Sequence, residues 1–221
     1  MELKNIDLII FDCDGTLVDT ETITAQLMTD MLNELGINIT LEDCTARFIG
    51  TKFSDVHAFV TSHGIPIEAE GFELNYRNRC KVAFENDLSP IPGVTTLLDK
   101  LKVPFCIASN GPKEKMNITL DTTGLKPYFK DQHIFSAYDI KKWKPEPDLF
   151  LNASDSMGYQ GQRCLVVEDT IHGVKAALTA NMKVTAVNVK HQLEDILNLG
   201  VPVYDNIRDL SKDLYDHGYL I

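Results

Sequence analysis

The chain alternates short, almost wholly apolar runs with longer stretches whose apolar positions recur at helical spacing. Ile6-Asp7-Leu8-Ile9-Ile10-Phe11 is the first such run. Val103-Pro104-Phe105-Cys106-Ile107-Ala108, Cys164-Leu165-Val166-Val167 and Val184-Thr185-Ala186-Val187 follow it, with His133-Ile134-Phe135-Ser136 a weaker candidate. Near-continuous apolar runs of this length predict strands buried on both faces. Between them, helical patterning covers 94–102, 112–123, 147–157 and 171–180. Pro112 and Pro147 suit first helical turns, and Gly124 and Gly158 suit helix ends. Strands and helices alternating in this way predict an α/β fold, a doubly wound, Rossmann-like parallel sheet core.

One stretch breaks the alternation. From about Leu17 to Leu88 no run reads as a strand. Ile23, Leu27, Met28, Met31, Leu32 and Leu35 form one apolar helical stripe stopped at Gly36, and further helices are expected around 41–48, 53–63 and 67–84. A helical block directly after the first strand reads as an inserted small α-helical cap subdomain. The expected division is 1–17 with 89–221 for the core and 18–88 for the cap, with hinges near Val18–Asp19 and Leu88–Pro92.

Composition narrows the function. Of 221 residues, 44% are hydrophobic and 24% charged, so wholesale disorder is excluded. The 21 basic residues face 32 acidic ones, a net charge of -11, which disfavours nucleic acid or an anionic membrane surface as main partner. No apolar run approaches the roughly 18–20 residues of a membrane span, and no basic segment leads into an apolar one at the start. Five cysteines (13, 44, 80, 106 and 164) are scattered without a C-x-x-C pair, three of them in or beside apolar runs where a buried free thiol is expected, and a reducing compartment fits. The expectation is a cytoplasmic protein, by default a monomer.

The sharpest chemical signal is Asp12-Cys13-Asp14-Gly15-Thr16, directly after the first strand, where open α/β sheets bind their ligands. Two carboxylates this close repel unless a cation or proton intervenes. The spacing does not suit an EF-hand, whose glycine falls later in the loop. Three more signals end the other strands. Ser109-Asn110-Gly111-Pro112 offers a hydroxyl and free N–H groups where a helix begins, a natural phosphate site. Trp143-Lys144-Pro145-Glu146-Pro147 offers a sterically constrained cation. Glu168-Asp169-Thr170 ends a buried strand with adjacent carboxylates, which a metal explains directly. Taken singly, each has an ordinary reading as a turn, an N-cap or a solvated charge.

Taken in order, Asp-x-Asp-Gly-Thr, Ser-Asn-Gly, Lys-Pro-x-Pro and Glu-Asp-Thr resemble the motifs of the haloacid-dehalogenase-like (HAD) superfamily over essentially the whole chain. The helical insert is similar to the cap of its sugar-phosphatase and β-phosphoglucomutase branch. The resemblance implies Asp12 as the nucleophile that forms an aspartyl-phosphate, and Asp14 as general acid and then base. It implies Thr16, Ser109, Asn110 and Lys144 around the phosphate. Mg2+ would take the Asp12 carboxylate, the Asp14 carbonyl and Asp169, with Glu168 a further or water-mediated ligand. The implied substrates are small phosphorylated metabolites, sugar or sugar-acid phosphates with 6-phosphogluconate among them, which the resemblance of the segment from Phe135 through Pro145 suggests.

In the cap, Thr20, Glu21, Arg47 and Lys52 are the expected specificity residues, with Gly50 a flexible point; Arg77 and Arg79 are ambiguous. His172, where relatives often carry a small residue, is expected to face solvent. A dehalogenase disagrees with Asp14, and a phosphonate hydrolase, although Lys52 makes it formally possible, fits the acid at position 14 less well. A β-phosphoglucomutase would share the core residues and reveal itself by glucose 1,6-bisphosphate dependence. A noncatalytic metal- or phosphate-binding module disagrees with the presence of Asp12, Asp14 and Lys144 together.

Overall fold

The computed structural model describes residues 3–48 and 53–221. Two compact units emerge, residues 1–18 with 89–221 and residues 19–88.

The larger unit is built on six parallel strands: β1 (Leu8–Phe11), β2 (Phe105–Ser109), β3 (Ile134–Ser136), β4 (Cys164–Glu168), β5 (Lys183–Val187) and β6 (Val203–Tyr204). Their order across the sheet is β3-β2-β1-β4-β5-β6. The chain builds outward from β1 on one side and then crosses to build outward on the other. The strand order therefore reverses beside β1 and β4, and the crevice at their carboxyl ends is where such sheets bind ligands. Phe11 pairs in register with Ile107 of β2 and Val167 of β4, so the first residue past β1 emerges between two buried neighbours.

Because β1, β2 and β4 are covered on both faces, their side chains are apolar until the carboxyl ends, where β2 closes on Ser109 and β4 on Glu168. Leu8, Ile10, Ala108 and Val166 share one core with Phe150 and Val174. Those last two come from α8 (Asp148–Met157) and α9 (Ile171–Thr179). Burying a side chain such as Phe150 is worth about 2–3 kcal/mol, and its loss as Ala costs about 3–5 kcal/mol. The other helices of this unit are α5 (Val94–Lys100), α6 (Lys113–Thr122), α7 (Ala137–Ile140), α10 (Leu193–Asn198) and α11 (Ile207–Asp216). Pro112 and Pro147 sit one residue ahead of α6 and α8, at their N-caps and not inside the first turn. Gly158 ends α8 in the left-handed conformation, φ 81°.

The smaller unit holds α1 (Thr20–Glu34), α2 (Leu41–Phe48), α3 (Phe53–Ser62) and α4 (Ala69–Asp87), with no strand among its described residues. Met28, Leu32, Ile37, Cys44, Val56 and Val60 make its own core. Arg79 and Glu34 join α4 to α1 through two bonds of 2.6 and 2.8 Å. Arg77 bonds Glu73 one turn earlier at 2.5 Å. Both arginines are thereby accounted for as helix-face ion pairs. No helix among the described residues is long and apolar enough to cross a membrane. All five cysteines are free and buried.

Candidate active site

The candidate side chains lie in segments at or beyond four strand ends of the larger unit. Past β1, Asp12 is 7% exposed and its N–H donates to Val167 O at 2.9 Å, which continues the sheet pairing one residue into the loop. The chain then turns at Gly15, φ 79°, whose N–H donates to Val18 O at 2.8 Å. A Cβ at Gly15 would overlap the Asp169 carboxylate, so only glycine satisfies both the left-handed backbone and the close approach. Thr16, fully buried, donates from Oγ1 to Asp169 Oδ1 at 3.4 Å.

Lys144 is the centre of the arrangement. It is 7% exposed, and its ammonium contacts both Asp12 Oδ1 and, at 2.5 Å, Glu168 Oε1. The same ammonium lies 4.8 Å from the centre of the Phe150 ring, which adds a cation–π attraction. Its backbone is held too: the N–H of Lys144 donates to Asn110 Oδ1 at 2.9 Å. Asn110, which the sequence places near the phosphate, thus has its carbonyl oxygen on the Lys144 loop. Ser136, at the end of β3, donates to Gly111 O at 2.7 Å and so ties a third loop to the second. Ser109 is buried, and its Oγ accepts from the Gly111 N–H at 3.1 Å.

Glu168, 1% exposed, uses its second oxygen as an acceptor for three donors. Asp169 N and Thr170 N each lie 3.0 Å from Oε2, and Thr170 Oγ1 lies at 2.9 Å. Gly173 packs against this carboxylate, where a Cβ would overlap it. Both Glu168 oxygens are thus engaged by protein donors, one by Lys144 and one by the start of α9.

The electrostatics follow from burial. Desolvation pushes the Asp12 carboxyl up to about 7, against the pull of the Lys144 ammonium. Burial alone would pull Lys144 down, but Asp12 and Glu168 outweigh it and hold the ammonium above the ordinary lysine range. Lys144 therefore carries its charge in the interior.

Lys115 was not expected. From the first turn of α6 its Nζ reaches Asp14 Oδ2 at 2.8 Å. Burial would lower its pKa, but Asp14 reverses the direction and keeps it protonated. No sequence signal marks this lysine, because its partner lies 101 positions away.

Other expected residues fall elsewhere. Glu21 is in the first turn of α1. Arg47 is in the last turn of α2 and lies over the Phe59 ring at 4.8 Å. It lines a groove of about 550 Å³ within the helical unit, with Ile37, Asp43 and His63. Lys52 and Gly50 lie outside the described residues. His172 is exposed on α9.

A divalent cation fits what is present. Asp12 and Asp169 are buried carboxylates at adjacent strand ends, Asp14 lies in the loop that follows Asp12, and the missing Cβ of Gly15 leaves the approach to Asp169 open. All are hard oxygen donors, as magnesium prefers. Among the described residues no three His, Cys, Asp or Glu side chains converge into a cage. Magnesium keeps several waters and takes few carboxylates, so two carboxylates and a carbonyl would suffice to hold it.

Residues 9–187 match the model of the haloacid dehalogenase-like hydrolase family. The chain is similar to 6-phosphogluconate phosphatase of Escherichia coli, 34% identical over 183 residues, which is 82% of each protein. It is also similar in structure to a haloacid dehalogenase-like protein of unknown function from Agrobacterium tumefaciens. That likeness has a TM-score of 0.85 and 34% identity, covering 96% of this chain and 98% of the other. A HAD family hydrolase from Deinococcus radiodurans, solved with bound phosphate and sodium, has a TM-score of 0.86 and 27% identity over 98% of both chains. With a parallel sheet in this strand order and acidic loops at its switch point, the chain belongs to the haloacid dehalogenase-like hydrolase family.

Proposed function

We propose that the protein is a magnesium-dependent phosphatase that hydrolyses small phosphate monoesters, sugar or sugar-acid phosphates, through an aspartyl-phosphate on Asp12. The observation that carries this reading is the buried Lys144 ammonium touching the Asp12 carboxylate at the end of β1. A cation fixed against a nucleophile balances the charge of an incoming phosphoryl group without reorganising at the moment of reaction.

Asp12 attacks phosphorus with a carboxylate oxygen, forming an O–P bond as the bond to the leaving alkoxide breaks. Asp14 gives its proton to that alkoxide. It then takes a proton from water, whose oxygen attacks phosphorus and releases inorganic phosphate and free Asp12. Thr16 and Ser109 orient the phosphoryl oxygens, and Lys144 balances their charge. Asp12, Asp169 and the Asp14 carbonyl would hold Mg2+. Bound there, the ion withdraws charge from the phosphoryl oxygens. Glu168 fixes Lys144 through one oxygen. Choice among substrates is assigned to Glu21, Arg47 and Lys52 of the helical unit. The resemblance to the E. coli enzyme makes 6-phosphogluconate the first substrate to try. The free buried thiols suit a reducing cytoplasm.

Phosphate release from a panel of sugar phosphates including 6-phosphogluconate, with magnesium and then with EDTA, tests this. Metal-dependent release with one favourite is expected. No release from any member would contradict hydrolysis and turn attention to phosphoryl transfer, assayed on β-glucose 1-phosphate with glucose 1,6-bisphosphate.

A further inference from the structure

The turn that carries Asp14 is gripped from a strand the motifs do not include. Asn188 directly follows β5 in the left-handed conformation, φ 51°, and its N–H donates to Tyr204 O of β6 at 3.3 Å. Its side-chain amide reaches across the sheet end, where Nδ2 donates to Gly15 O at 3.3 Å. The other side of the same turn is held by the Gly15 N–H on Val18 O at 2.8 Å. Glycine has the widest backbone freedom of any residue, so a turn through Gly15 needs such restraints to keep one orientation. In a trans peptide the Asp14 carbonyl points opposite to the Gly15 N–H. Fixing Gly15 at its N–H and at its C=O therefore fixes the direction of the Asp14 carbonyl.

We propose that Asn188 is a positioning residue for the cation site: its amide holds the Gly15 carbonyl so that the Asp14 carbonyl faces the Asp12 and Asp169 carboxylates. The inference rests on the metal-dependent reading above. The residue type fits both demands of the position, because asparagine tolerates the left-handed backbone and its side chain carries a donor. Groups that hold a metal ligand without touching the metal commonly change affinity by about 10–100-fold when removed.

Two substitutions isolate the donor. Asn188→Gly keeps the backbone conformation and deletes the amide; Asn188→Asp keeps shape and conformation but cannot donate when ionised. Mn2+ binding to the full-length protein is followed by electron paramagnetic resonance without substrate, and thermal unfolding of the same samples is followed in EDTA. Both variants are expected to bind Mn2+ on the order of tenfold more weakly, with midpoints close to that of the unsubstituted protein. Unchanged affinity in Asn188→Gly, or tighter binding in Asn188→Asp, would overturn the inference. So would weaker binding that merely tracks a large fall in midpoint. An unsubstituted protein that binds no Mn2+ would overturn the metal reading together with it, and is distinguished by failing before any substitution is made.

Discussion

Lys144 Nζ lies 2.5 Å from Glu168 Oε1 while the same ammonium contacts Asp12. Glu168 in turn is held by three donors at the start of α9, so the charge facing the nucleophile is anchored through a carboxylate to the next helix. Two strand ends that are distant in sequence thus share one buried ionic unit.

Removing one partner of such a unit leaves a buried charge without compensation, at a cost of about 3–5 kcal/mol. Lys144→Met is expected to lower phosphate release by roughly 10²–10³-fold, the range for deleting a preorganised charge stabiliser. Glu168→Gln is expected to lose stability as well as rate, because the amide nitrogen cannot accept the bonds its oxygen now takes. Urea unfolding beside steady-state rates reads both. A Glu168→Gln protein of unchanged stability and rate would show that the anchor is dispensable.

Gly173 and Gly36 separate space from backbone conformation. At Gly36, φ 84°, a Cβ meets nothing within 4 Å, so Gly36→Ala carries only the left-handed cost of about 1–2 kcal/mol. Gly173 is helical, where alanine alone would gain about 0.8–1 kcal/mol. Its Cβ would collide with Glu168, and that overlap reverses the sign to a loss of roughly 1–3 kcal/mol. Phosphate release is expected to fall in Gly173→Ala and to persist in Gly36→Ala. A stabilised, fully active Gly173→Ala protein would contradict the packing.

The strands of the sheet were legible in the sequence where they are buried on both faces. β6 was not, since Val203–Tyr204 is two residues long and only half buried. The candidate site was legible as a grouping of loops that each supply their own signal: those of Asp12, Lys144, Glu168 and Asp169 meet in the fold, and the roles proposed for them rest on that grouping. What the motifs could not express is contact between loops. Lys115 on Asp14, Asn110 on the Lys144 backbone and Asn188 on Gly15 each join segments far apart in the chain. Arg79 shows the converse, an ambiguous charge in the sequence that the fold pairs with Glu34.

The Lys115 contact orients Asp14, so its loss is expected to matter where the leaving group needs a proton. Lys115→Met should lower kcat/KM for a sugar phosphate about tenfold, part of the 10²–10⁴-fold that general acid–base catalysis supplies. For p-nitrophenyl phosphate, whose leaving group departs unprotonated, kcat/KM should stay within about threefold by the same reasoning. Equal losses on both substrates would remove Lys115 from proton transfer.

Burial should protect the thiols. Desolvation raises Cys13 well above the ordinary range and Cys164 to about 11, and the thiolate is the reactive form. A disulfide exchange reagent at neutral pH is expected to find no fast-reacting thiol in the native protein and all five after denaturation. A fast native thiol would place a cysteine at the surface.

The proposed reaction turns on the Asp12 carboxylate as the nucleophile. The most direct test is phosphate release by Asp12→Asn beside the unsubstituted protein, with magnesium and the favoured substrate and with circular dichroism to verify the fold. Turnover is expected to fall below detection with the spectrum unchanged. A folded Asp12→Asn protein that turns over near the unsubstituted rate would contradict the mechanism.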